Sequence, residues 1–154
     1  MALTGSEFYP EARNFHFKPF ADRQGTIRDR FRWTCSCSRC RAGTRTDDGI
    51  EQLRQQQQAL EDWSPRASAT PDDALRLIRL YKREGFDTFL YIPYRHAALA
   101  YNAVGDTNKA QKYAALAANL MVFDGLEEDP DFKLCQELLL NPWRHWSWRK
   151  RVDE

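Results

Sequence analysis

From Thr70 onward the chain is punctuated so regularly that it leaves room for little but short helices. Thr70-Pro71-Asp72-Asp73 offers a hydroxyl for an N-cap, a proline at the first helical position and acids in the first turn. All three suit the orphan amides and the positive end of a helix. Leu75, Ile78 and Tyr81 then share one face, and Gly85 closes the segment. Pro93 places a second start at Tyr91 to Pro93, followed by Tyr94, Ala97, Ala98, Tyr101 and Val104 up to Gly105. A third helix is predicted from Asp106 or Thr107 through Ala110, Tyr113, Ala114, Ala117, Leu120 and Met121. A fourth starts at Asp129-Pro130 and sets Phe132, Cys135, Leu138 and Leu139 on one face before Asn141-Pro142. Short connections between such helices predict antiparallel hairpins.

The small residues of the second and third helices, hinged at Val104-Gly105-Asp106, allow close backbone approach. The pattern Ala98, Tyr101, Gly105, Ala110, Tyr113, Ala117 resembles a single tetratricopeptide-like helix pair. A plain tight helical hairpin has the same pattern. Upstream, a helix is expected from Asp47 or Asp48 to about Asp62. Its Gln55–Gln58 run, with Leu53 and Leu60 as the main apolar residues, makes it exposed and only modestly amphipathic. Ser64, Pro65 and Ser68 form a linker. In residues 1–34, Phe15 and Phe17, then Phe31 and Trp33, alternate with polar residues, the period of two short strands with Asp22 to Gly25 among the turn residues between them.

The expected fold is therefore mainly α: a small N-terminal β and zinc-knuckle lobe (1–46), a connecting helix (47–63), a tetratricopeptide-like antiparallel bundle (70–148) and a basic tail (149–154). A length of 154 residues fits one compact domain or two very small ones. No run of 18 apolar residues and no basic-then-apolar leader is present, so a soluble protein of the cytoplasm or nucleus is expected, with no membrane partner. The net charge of +1 hides a segregation. Residues 13–45 hold nine basic residues against Asp22 and Asp29, a net of +7, while residues 46–142 hold ten basic and sixteen acidic, a net of −6. Such asymmetry suits a basic lobe docking on an acidic one, or a nucleic-acid footprint.

Cys35-Ser36-Cys37-Ser38-Arg39-Cys40 is the most specific chemistry in the chain. Three thiols within six residues suit a knuckle whose thiolates converge on a cation, and Zn²⁺ takes four ligands of this kind. Arg32, Arg39 and Arg41 would lower the thiol pKa values. A disulfide or free redox thiols are the competing reading. Cys135 reads as a buried small hydrophobe or a fourth ligand. His16, His96 and His145 are the imidazole candidates for that fourth place, His16 lying among the N-terminal aromatics.

The stretch Arg28-Asp29-Arg30-Phe31-Arg32-Trp33-Thr34-Cys35-Ser36-Cys37-Ser38-Arg39-Cys40 resembles the post-SET segment of SET-domain lysine methyltransferases. The helices around Tyr94 to Leu120 resemble the helical C-terminal region of the SET and MYND type and its fungal relatives, as does the closing Pro142-Trp143-Arg144-His145-Trp146-Ser147-Trp148. The resemblance covers about residues 20–148. It implies zinc at Cys35, Cys37 and Cys40, with His16 as the upstream fourth candidate, and it places Trp33 where relatives pack an aromatic near the cofactor's adenine. The family's Asn-His-Ser-Cys and Gly-Glu-Glu-Leu motifs are absent, and the 34 residues before Cys35 are too few for a catalytic core. S-adenosylmethionine binding by this chain alone is thus not expected.

Three functions follow as expectations. One is a truncated SET-family protein acting as a zinc-binding helical interaction or regulatory module with a protein partner. A second is a repurposed small-molecule enzyme, of cyclase or isomerase type and set in fungal secondary metabolism. It would hold an apolar substrate in a cleft of Phe15, Phe17, Trp33, Tyr91, Tyr94 and Tyr101, with Tyr94, His96 and Tyr101 as catalytic candidates. A third is a fragment that completes a protein-lysine methyltransferase. The aromatic-basic tail from Trp143 to Arg151 could stack bases, or could pack back on the helices; nucleic acid is not the expected partner. Exposed apolar surface would suit a homodimer.

Overall fold

Polar side chains, not apolar ones, shape the first part of the chain. The computed structural model describes residues 15–152; residues 1–14 and 153–154, which include part of the expected N-terminal lobe and the end of the basic tail, lie outside it. Helix α1 (Phe20–Phe31) ends at Arg32, which takes the left-handed conformation (φ 60°). Arg23 is 2% exposed, and two of its guanidinium nitrogens are bonded: Nη1 donates to the Lys18 carbonyl at 2.6 Å and Nη2 to the Thr46 hydroxyl at 3.3 Å, while Nε is buried without a partner. Ile27, Cys40 and Ile50 supply the buried apolar side chains of this unit. A short α2 (Ser38–Arg41), a 3₁₀ turn (Gly43–Thr46) and the start of α3 (Asp47–Glu61) follow, and the Phe20 amide donates to Asp47 Oδ1 at 2.8 Å.

The expected pair of short strands is not formed. Among the described residues there is no strand: Phe31 ends α1, Phe15 and Phe17 precede it in helical and turn backbone, and Trp33 follows its left-handed cap. The aromatic alternation sits at the edges of a helix whose interior buries Arg23 and Gln24.

The chain divides into two compact units, Met1–Gln52 and Leu53–Glu154. The second holds α4 (Pro71–Arg83), α5 (Tyr91–Ala103), α6 (Thr107–Phe123) and α7 (Pro130–Leu140), with 3₁₀ turns at Asp87–Phe89 and Pro142–Arg144. Each predicted start signal is used. Thr70 and Asp73 form a reciprocal capping box, with Thr70 N–H donating to Asp73 Oδ2 at 2.8 Å. Asp106 accepts from the Lys109 amide and Asp129 from the Asp131 amide.

Helices α4, α5 and α6 all stop in the same way. Gly85, Gly105 and Gly125 have φ of 74°, 83° and 69°. The residue after each glycine bonds back five positions, Phe86 to Tyr81, Asp106 to Tyr101 and Leu126 to Met121, at 2.8 to 3.0 Å. This is the Schellman closure, which needs the left-handed conformation that glycine adopts without strain.

The burial pattern repeats as well. Residues 71–89 and 111–129 follow the same order of buried, half-buried and exposed positions throughout, a spacing of 40 residues. Ala74, Leu77, Ile78 and Tyr81 in α4 correspond to Ala114, Ala117, Ala118 and Met121 in α6, all buried. The smaller set on α6 lets its backbone approach α5, where the Tyr101 and Tyr113 rings stack at 5.5 Å. Helix α5 is central and buried on nearly every side, as its apolar all-round composition requires. The outward positions differ: Arg76, Lys82 and Arg83 on α4 are matched by Leu116, Val122 and Phe123 on α6, the last 87% exposed.

Candidate metal centre

The end of α1 and the start of α2 place the three clustered cysteines. Gln24 clamps the backbone of Cys35 from both sides, its Nε2 donating to the Cys35 carbonyl at 2.9 Å and its Oε1 accepting from the Cys35 amide at 3.2 Å. Cys37 precedes α2, and the Arg41 amide bonds to the Cys37 carbonyl at 2.9 Å, so the chain folds back and brings Cys40 round. The Sγ atoms of Cys35, Cys37 and Cys40 lie within 4.8 Å of one another. A tetrahedral zinc with Zn–S of about 2.3 Å sets sulfur pairs about 3.8 Å apart. A contraction of about an ångström or less therefore closes the trio on such an ion. All four cysteines are free thiols. The trio is placed to hold a metal ion.

Electrostatics divide the three thiols. Cys37 is exposed and its pKa is lowered, first by the hydrogen bond from the Cys40 backbone and then by those from the Cys35 and Cys40 side chains. Burial, with hydrogen bonding to Cys37 and Cys35, pushes the Cys40 thiol up to about 11. Of Cys37 and Cys40, it is the exposed Cys37 that is poised to ionise. A divalent cation would replace the thiol protons.

The other predicted site residues are dispersed. His16 is exposed and belongs to the first unit but is not a member of the cysteine group; burial of its ring and the charges of Arg39 and Arg23 lower its pKa. Trp33 is 53% exposed beside the knuckle. Cys135 is fully buried in the second unit, its thiol pushed up to about 12 by burial, in keeping with a small hydrophobe. Tyr94 and Tyr101 pack around Tyr113, and Tyr91 is 2% exposed, so these three rings are packing elements of the second unit. His96 is 3% exposed, with Nε2 2.9 Å from Arg95 Nη2 and 3.5 Å from Glu61 Oε1. Arg95 can only donate and the Glu61 carboxylate can only accept, so the two contacts at Nε2 belong to different proton placements: Nε2 accepts from Arg95 when bare and donates to Glu61 when protonated. His145 rests its Nδ1 2.8 Å from the buried Ser147 Oγ, which accepts from Asn102 Nδ2 at 2.8 Å.

Two features lacked a sequence signal. The Gln run of α3 carries specific bonds: Gln57 Oε1 accepts from the Tyr81 hydroxyl at 3.0 Å, and Gln56 Nε2 donates to Asp73. The C-terminal segment is also not a solvated basic tail throughout. The Arg151 guanidinium lies 3.9 Å over the Trp63 ring and donates to the carbonyls of Ala69, Leu60 and Asp62.

Comparison with protein-family models, curated proteins and solved structures finds no match to this chain.

Proposed function

We propose that the protein is a zinc-binding, non-catalytic helical module: a thiolate knuckle in the first unit, and in the second a tetratricopeptide-like helical stack that meets a protein partner. The observation that carries this reading is the convergence of Cys35, Cys37 and Cys40 within 4.8 Å. Three sulfurs leave one tetrahedral position for a fourth donor, and His16 is the imidazole of the same unit that can supply it. Zinc is preferred because an all-thiolate trio is soft and tetrahedral in habit. The ion would neutralise thiolates and lock the fold of a unit with few buried apolar residues.

The 40-residue periodicity supports a repeat architecture, and the apolar outward row of α6 supports a partner surface. The relation to a SET-family C-terminal part rests on the post-SET-like sequence alone.

Metal titration tests the centre. The apo chain should take up one Co²⁺ and show intense sulfur-to-cobalt charge-transfer absorption. Cys37→Ser and Cys40→Ser should each abolish that signal, His16→Ala should weaken binding, and Cys135→Ser should leave it intact. A chain that binds no cobalt with all thiols reduced, or one in which only Cys135→Ser abolishes binding, would refute the proposal.

A further inference from the structure

A second site, independent of the metal centre, lies within the second unit. The linker after α3, the α5–α6 turn and the C-terminal segment enclose a cleft of about 800 Å³, within the size range of small-molecule sites. Trp63 and Trp146 meet at its wall with ring centroids 4.8 Å apart and planes at 84°, forming a two-sided indole corner. Trp146 is 50% exposed, so aromatic surface is left for a guest. Pro65, Pro71 and Val104 continue the apolar lining.

The polar lining is one-sided in charge. Among the described residues no carboxylate lines the cleft, whereas Lys150, Arg151 and the hydroxyls of Ser64 and Ser68 do. The two cations have different tasks. Arg151 stacks on Trp63 and spends its donors on the Ala69, Leu60 and Asp62 carbonyls, and its charge is partly met by Asp62 and Asp73. It holds the indole corner rigid, so the site needs little ordering on binding. Lys150 is exposed and forms no ion pair among the described residues. Its ammonium is free to meet an anion.

We propose that this cleft binds a small anionic aromatic molecule, its ring against the Trp63 and Trp146 corner and its carboxylate or sulfonate on Lys150. One free ammonium matches a single anionic group better than a polyanionic backbone, which needs a row of cations. The indole corner matches a fused ring.

The test uses the full chain, indole N–H signals in ¹⁵N-resolved NMR, and 1-naphthoate as probe. Naphthoate should shift the Trp63 and Trp146 Nε1–H signals saturably. The uncharged 1-naphthalenemethanol should bind about fivefold or more weakly, as should naphthoate to Lys150→Gln, since one exposed charge contact contributes about 1 kcal/mol. Ser68→Glu, an exposed substitution that brings a carboxylate to the rim, should abolish binding while distant signals stay unchanged. Absence of saturation at millimolar naphthoate, equal binding of the alcohol, or undiminished binding by Ser68→Glu would overturn the proposal. Equal shifts from acetate or inorganic phosphate would overturn its aromatic part.

Discussion

His96 shows how a single residue can be buried and still decide how the molecule responds to acid. Its pKa is lowered, chiefly by burial and further by the Arg95 charge, with Glu61 opposing. The unfolded chain therefore binds this proton more readily than the folded one. The stability so gained is complete above the ordinary histidine value of 6.5 and is lost as pH falls toward the lower folded value. Glu61 acts on the same side. Hydrogen bonding with His96, then the Gln57 amide and the Arg95 charge, hold its carboxylate at about 2 against 4.5, so its contribution is lost only below pH 4.5. Resistance to urea should thus fall steadily below about pH 6.5, and His96→Gln should flatten the upper part of that fall. A pH-independent urea midpoint from 7.5 to 4.5 would contradict this account. The sequence shows a histidine on a helix; its partner Glu61 comes from α3, 35 residues upstream, and the Arg95 beside it is held by Asp131 of α7, 36 residues downstream, and no local pattern announces them.

At the scale of the element, the legible parts are those whose signals are local. Thr70-Pro71, Gly105-Asp106 and Asp129-Pro130 satisfy or stop the backbone within a turn of where they stand, so the four helices of the second unit begin and end as read. Gly125→Ala tests one such stop. A Cβ there meets nothing within 4 Å, so the cost comes only from the positive φ, about 1 kcal/mol in chemical denaturation. Near-zero change would mean that the turn relaxes without strain. Helix α1 was not legible for the opposite reason. Its inward residues include Arg23 and Gln24, which are stable there because they bond to Lys18, Thr46 and Cys35 across the fold. A helix that buries polar side chains has no apolar period, and the aromatic alternation at its ends then reads as strand. The cysteine knuckle is the intermediate case: spacing gave the trio, whereas the Gln24 clamp that orients it is 11 residues away.

For the whole molecule, the 40-residue repeat of burial is faint in the letters because Leu77, Ile78 and Tyr81 share no identity with Ala117, Ala118 and Met121; over 71–89 and 111–129 only Ala74/Ala114, Leu80/Leu120 and Gly85/Gly125 are identical, while the pattern of exposure is shared throughout. Stacked hairpins are stable through neighbour contacts and tend to open from their ends. Here the C-terminal segment opposes that tendency, since the Arg149 and Arg151 amides bond to Asn102 and Ala103 while the Arg151 side chain ties the end of α3. Arg151→Ala should cost about 2 kcal/mol, the range for hydrogen bonds from a charged donor. It should also raise amide exchange at the ends of α3 and α5 more than in α6. Uniform exchange across the unit would show that the segment is only a passenger.

That tie joins residues 89 and 91 positions apart, Asp62 and Leu60 to Arg151. On the ribosome the α4–α5 and α5–α6 hairpins can form from contacts already released, but this last clasp must wait for residue 151. The second unit therefore stays an unfastened stack until residue 151 has emerged, and in that interval a chaperone or a partner can reach the surfaces the clasp later covers.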